Sequence, residues 1–158
     1  MEILVRQDDL SSTDVQSLIA DHLAGMHGNS PPGHVHAFED LRAPSVTFLS
    51  AWADEILCGC GALKELDRLT GEVKSMRTRS TFLRRGVAQA ILDEIVRTAR
   101  QRGYSRLVLE TGTGPAFGPA HALYRRNGFE WSGRFGEYTA TDFNLFMAKV
   151  LVSGHGGA

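Results

Sequence analysis

Cysteine is nearly missing from this sequence: Cys58 and Cys60 are the two thiols among 158 residues. One residue apart, they cannot supply the framework that staples a small disulfide-rich domain. Without a second pair or a histidine at ligand spacing they also make a poor zinc site, and no metal is expected. On an extended segment both point to one face, where they read as small buried hydrophobes. No apolar run approaches the ~20 residues needed to cross a bilayer. Residues 1–10 lack a basic leader followed by an apolar stretch, so the expectation is a cytoplasmic chain with no membrane partner. Surplus basic charge is absent too: 17 lysines and arginines stand against 18 acidic residues, a net charge of −1. Nucleic-acid binding depends on clustered excess cations and is not expected.

What is present suits one soluble-type globular unit. A chain of 158 residues can bury about 70% of its unfolded surface in a single core. The expected domain spans 1–152, with a mobile glycine-rich tail over 153–158. Glu2 to Arg6 reads as a first strand, and Ser11-Ser12-Thr13-Asp14 offers N-cap candidates before Val15, Leu18, Ile19 and Leu23 repeat at helical spacing. Asn29-Ser30-Pro31-Pro32-Gly33 ends regularity, and a short helical turn is expected over 35–41. Strands follow at Val46 to Trp52, Leu57 to Leu66 and Glu72 to Thr78, with Gly59 and Gly61 pointing to a bulge or close backbone packing. A strongly amphipathic helix begins near Gly86 and ends at Gly103. An apolar strand, Arg106 to Glu110, comes next, then a breaker-rich loop, a helix over 117–126 and two last strands, Phe129 to Ser132 and Leu145 to Leu151. Antiparallel strands followed by strand–helix–strand imply a mixed α/β sheet with helices packed on it.

The chain is organised around the segment from Gly71 to Arg102. A turn bearing Gly86 opens a helix whose first N–H groups lack intrahelical partners and point one way, at the positive end of the helix dipole. Phosphate oxygens fit such a place, and Gly86 and the small Ala88 let them come close. The same spacing also fits an ordinary strand-to-helix turn. Arginines gather locally at Arg77, Arg79, Arg84 and Arg85 and again at Arg125 and Arg126, which suits a small polyanion or a solvated face.

The stretch Leu83-Arg84-Arg85-Gly86-Val87-Ala88 resembles the Arg/Gln-x-x-Gly-x-Gly/Ala motif of the GNAT superfamily of N-acetyltransferases, with Leu83 where the family carries Arg or Gln. About forty residues on, Ala120-His121-Ala122-Leu123-Tyr124-Arg125-Arg126-Asn127-Gly128-Phe129 resembles the family's Ala-x-x-Leu-Tyr-x-x-x-Gly-Phe block. The run His22-Leu23-Ala24-Gly25-Met26, with Ser30-Pro31-Pro32 and His36-Ala37, is similar to a bacterial branch, the YsnE-like acetyltransferases. The resemblance implies the acyl-CoA N-acyltransferase fold, with about seven mostly antiparallel strands flanked by about four helices. It implies acetyl-CoA as co-substrate, a small amine or peptide as acceptor and, as often among relatives, a homodimer. It further implies a fourth and fifth strand that splay apart, pantetheine lying along Met76, Arg77 and Thr78, and the pyrophosphate held by Leu83, Arg84, Arg85, Gly86, Val87 and Ala88, with Phe117 near the cofactor.

In the family the tyrosine of the second block protonates the departing thiolate, which makes Tyr124 the acid; without the flanking block it would read as an aromatic packed under the sheet. The Met76 amide is the expected oxyanion donor. Glu72 lies fourteen residues before Gly86, the spacing at which histone-acetylating relatives place a catalytic glutamate. On a regular strand it shares a face with Lys74, Met76 and Thr78. An ion pair with Lys74 is the alternative role for Glu72, and a water relay is the alternative base. Segments 29–41 and 133–144 are expected to shape the acceptor pocket through His34, His36, Glu39, Arg134, Glu137 and Tyr138. Two other readings stand beside this one. A dinucleotide-binding unit would use Gly86 and Glu110 but wants three glycines and a parallel sheet. A non-catalytic acetyl-CoA sensor of the same fold would need no acid at the thiol.

Overall fold

A computed structural model describes residues 1–29, 38–136 and 141–151. Among them are seven strands, three α-helices and three 3-10 helices. The strands are β1 (Leu4–Gln7), β2 (Val46–Ala53), β3 (Ile56–Asp67), β4 (Thr70–Thr78), β5 (Arg106–Gly112), β6 (Glu130–Ser132) and β7 (Asn144–Val150). The α-helices are α1 (Thr13–Asn29), α2 (Val87–Gln101) and α3 (Gly118–Arg126). One sheet holds all seven strands in the order β1-β2-β3-β4-β5-β7-β6. Every neighbouring pair is antiparallel except β4 and β5, which α2 connects in parallel. The short turn expected over 35–41 is a 3-10 helix at Phe38–Arg42; the tail beyond residue 151 lies outside the described residues.

Local chemistry accounts for these elements. Ser12 caps α1, its Oγ accepting from the Val15 N–H at 3.2 Å, which satisfies one orphan donor of the first turn. On α2 the period places Val87, Ile91, Leu92, Ile95 and Ala99 inward, all buried, while Asp93, Arg97 and Arg100 stay in water. Each large aliphatic so buried contributes roughly 1.5–3 kcal/mol relative to exposure. Gly103, at φ +79°, ends the helix in the left-handed region, the conformation that glycine adopts without a Cβ penalty.

The sheet has a core on each face. Against one face α2 packs on Leu49, Leu63, Val73, Leu107 and Leu109, and α3 joins the same core through Leu123 and Tyr124. Against the other, Val15, Leu18 and Ile19 of α1 meet Phe48, Cys60 and Ala62. The two cysteines are therefore core residues, as their spacing suggests, but they divide between the cores: Cys58 lies toward α2 and Cys60 toward α1.

Two glycines of β3 fix how closely α2 and β4 approach. A Cβ on Gly59 would stand 2.6 Å from the Arg77 carbonyl oxygen and 2.9 Å from Val87 Cγ1. At Gly61 it would stand 2.6 Å from both Met76 Sδ and Ile91 Cγ2. Opposite Gly61 the β3–β4 register slips, Cys60 pairing with Arg77 and Ala62 with Lys74. Ser75 and Met76 thus share one partner in a β-bulge, with Ser75 at φ +59°, and such a bulge bends its strand and sharpens the twist.

Because a backbone oxygen is what a new methyl would strike, Gly59→Ala should lower stability by about 1–3 kcal/mol, read as a lower urea midpoint; an unchanged midpoint would mean that β3 and β4 part freely. Burial pushes the Cys60 thiol up to about 12 and moves Cys58 in the same direction. Neither thiol should react with Ellman's reagent until denaturant is added, and rapid labelling of the native protein would place one of them at an open surface.

Candidate active site

Strands β4 and β5 pair at Thr70 with Arg106, Gly71 with Leu107 and Glu72 with Val108, and there the pairing stops. Both strands run on, to Thr78 and Gly112. Strand β5 cannot follow β4, because it stays bound to β7 along its whole length, from Arg106 with Val150 to Gly112 with Asn144. The bulge at Ser75 and Met76 carries β4 the other way. A wedge opens between residues 73–78 and 109–112, and among the described residues no strand pairs with the β5-facing edge of β4 beyond Glu72.

Charge collects on the face of this wedge turned away from α2. Glu72 is 2% exposed and Lys74 6% exposed. Glu110 of β5 accepts a 2.8 Å hydrogen bond from Nδ2 of the buried Asn144. Burial pushes the Lys74 amine down, and the neighbouring Glu72 carboxylate works against that shift. The expected face shared by Glu72, Lys74, Met76 and Thr78 is split. The extra residue of the bulge reverses the alternation, so Met76 packs beside Gly61 and Ile91, and Thr78, paired with Gly59, follows it to the α2 side.

Tyr124 also lies on the α2 side. Its ring meets Phe129 edge-on at 5.5 Å and belongs to the main core. The ring is thus packed beneath the sheet, as the packing alternative has it. Its hydroxyl makes no hydrogen bond among the described residues, and burial pushes the phenol well above its usual pKa. It remains a protonated donor throughout the neutral range. Nearby, Phe117 lies where a Gly112 side chain would be: a Cβ there would be 2.3 Å from the ring. Phe117 stacks on His121 with centroids 6.4 Å apart, and His121 Nε2 is 3.0 Å from the Gly112 carbonyl oxygen. The breaker-rich run after Glu110 hides this. Thr111 and Gly112 continue β5 instead of beginning the loop, because glycine leaves room for the ring.

The start of α2 keeps its backbone amides available. Gly86 sits at φ +86°, ψ +10°, no side chain caps the helix, and the Ala90 N–H closes the first turn onto the Gly86 oxygen at 3.0 Å. Nothing lies within 4 Å of a Cβ built on Gly86. Arg84 is held at φ +65°, and Leu83, Arg84 and Arg85 are exposed beside this open space. The Arg85 guanidinium lies 5.9 Å above the Phe82 ring. Arg79 is occupied elsewhere, donating to the Leu57 carbonyl at 3.1 Å, which ties the loop to β3.

Of the expected acceptor residues, His34, His36, Glu137 and Tyr138 fall outside the described residues. Among the described residues no three His, Cys, Asp or Glu side chains gather as a metal site. In the sequence Asn144 carries no functional signal, and Lys74 reads only as an ion-pair partner of Glu72. Asn144 lies at the end of a polar excursion with no local signal, and its place beside Glu110 depends on the β5–β7 register.

The sheet does not have the parallel order of a dinucleotide-binding unit, and comparison with known proteins agrees. Residues 15–129 match the model of the acetyltransferase (GNAT) family. The chain is 47% identical over 149 residues to a Bacillus subtilis protein named Uncharacterized N-acetyltransferase YsnE, covering 93% of this chain and 99% of that protein. It is 45% identical to an Escherichia coli protein named Uncharacterized N-acetyltransferase YedL, covering 93% and 94%. In fold it is similar to a GNAT family acetyltransferase from Elizabethkingia anophelis solved with acetyl-CoA bound, with a TM-score of 0.70 and 17% identity over 94% of this chain and 98% of that one. With the motifs, the parted strands and these relatives in agreement, the chain belongs to the GNAT family of N-acetyltransferases.

Proposed function

We propose that the chain moves an acetyl group from acetyl-CoA directly to the primary amine of a small molecule or peptide, with transfer in the wedge between β4 and β5. The observation that carries this reading is the end of β4–β5 pairing at Glu72. It frees a strand edge at Met76, Arg77 and Thr78 for the pantetheine amides, which would add to β4 as a strand adds to a sheet edge. The amides around Gly86, Val87 and Ala88 receive the pyrophosphate, and Arg84 and Arg85 supply charge where Leu83 cannot. Phe117 borders the same end of the wedge.

The division of the two faces fits the chemistry. An alkylammonium acceptor with a pKa near 10.4 must lose a proton near pH 7, at roughly 4–5 kcal/mol if nothing assists. Glu72, on the α1 side, takes that proton. The nitrogen lone pair then bonds to the carbonyl carbon while the Met76 N–H supports the oxygen. As the carbon–sulfur bond breaks, Tyr124, on the α2 side, donates its proton to the thiolate, the new amide nitrogen gives its second proton to solvent, and the phenolate takes one back from solvent. Base and acid act from opposite faces of the sheet.

The direct test is release of free CoA thiol on incubation with acetyl-CoA and a panel of amino acids, polyamines, aminoglycosides and peptide N-termini. Saturable acetyl-CoA binding without release for any amine would favour the sensor module. Tyr124→Phe should lower kcat ten-fold or more and leave the melting temperature and acetyl-CoA affinity nearly unchanged, since its hydroxyl has no partner to lose among the described residues. Unaltered turnover would remove Tyr124 from the reaction. A base must be ionised to work, so activity climbs with pH on the acid side. Glu72→Gln should abolish that climb, and its persistence would assign the proton to a water relay.

A further inference from the structure

Lys74 Nζ is a buried nitrogen with no hydrogen-bond partner among the described residues. An ammonium has three donors to satisfy, and a buried one left open is costly enough that structures rarely tolerate it without a function. Lys74 is 6% exposed, and among the described residues it forms no ion pair. Its charged surroundings are Glu72 on its own strand, Glu110 on β5, Asp40 on the 3-10 helix and Lys64 on β3. Glu110 is already bound to Asn144. The cluster lies just past the last β4–β5 pair, on the face where the amine is proposed to enter.

We infer that Lys74 anchors a carboxylate carried by the acceptor, which makes the acceptor class small amino acids in place of simple alkylamines or polyamines. The inference rests on the acetyl-transfer reading of the same wedge. Glu72 and Lys74 project from one face of β4 about 7 Å apart along the strand, a carboxylate for the acceptor's ammonium followed by an ammonium for its carboxylate. The three surrounding carboxylates, Glu72, Glu110 and Asp40, oppose a dianion such as a phosphate monoester but tolerate a monoanion joined to a cation. A polyamine has no carboxylate to offer and would leave the Lys74 donors without an acceptor. Lys74 is a binding group here, and no proton of the reaction passes through it.

The test pairs each L-amino acid with its carboxamide as acceptor, for the wild type, Lys74→Met and Lys74→Arg. Thiol release and calorimetric titration of the same compounds are the two readouts. The wild type should prefer a carboxylate to its amide by ten-fold or more in kcat/KM, mainly through KM. Lys74→Met should erase that preference and leave acetyl-CoA affinity within two-fold. Lys74→Arg should retain part of the preference. Equal use of acid and amide by the wild type, equal loss for both in Lys74→Met, or a fall in its melting temperature without change in selectivity would each overturn the inference. If no amine releases thiol yet an amino acid binds in a Lys74-dependent way, the transfer reading falls and the anchor stands; if no amino acid binds or reacts, the anchor falls.

Discussion

Two strands that begin as neighbours and cannot remain so define this molecule. The β5 strand is committed to β7 through seven successive register pairs, while β4 is committed to β3 across a bulge. Each commitment is a ladder of backbone hydrogen bonds, and the bulge gives β4 a local bend and added twist that β5 does not share. Only the first three residues of the parallel pair can satisfy both. Beyond them the backbone of β4 needs a partner that the sheet does not provide, and unpaired strand edges invite an added strand.

The helix that joins the two strands completes the arrangement. Since α2 crosses from the end of β4 to the start of β5, its N-terminus must lie beside the wedge. Gly86 then places open amides and an open space at the same end. The glycines of β3 draw β4 and α2 tightly together, so the bulge, the helix start and the sheet form one rigid frame. Little of this depends on surface charge: Arg84 and Arg85 decorate a site whose shape comes from backbone geometry.

The faces of the wedge differ in kind. Toward α2 lies the apolar core, in which the Tyr124 ring packs against Phe129. Toward α1 it is polar and crowded with charge, with Glu72, Lys74 and Glu110 on adjoining strands and Asn144 bound to the last of these. A sheet keeps two such surfaces apart at a distance of one side chain, because successive residues point to opposite faces. The bulge adjusts which residue goes where: without it, Met76 would stand beside Lys74 and displace the polar face.

The periodic parts of this fold were legible in the amino acids. The apolar stripe of α2, the end of that helix at Gly103, the alternating strands and the small-residue packing of Gly59 and Gly61 all follow from local pattern, because each depends on residues near in sequence. The resemblance of the segments around Gly86 and Tyr124 to a known family supplied the expectation that both face one cofactor. What the linear pattern misplaced was the side of β4 that Met76 and Thr78 occupy, since one bulged residue reverses the alternation and nothing local announces it. The full extent of β5, ending at Gly112 under the Phe117 ring, and the meeting of Glu110 with Asn144 were likewise invisible. By itself the sequence determined the elements, their order and the residues able to do chemistry. The tertiary structure decided which of those residues share a face and where the sheet comes open, because register and bulges are settled by contacts between strands distant in the chain.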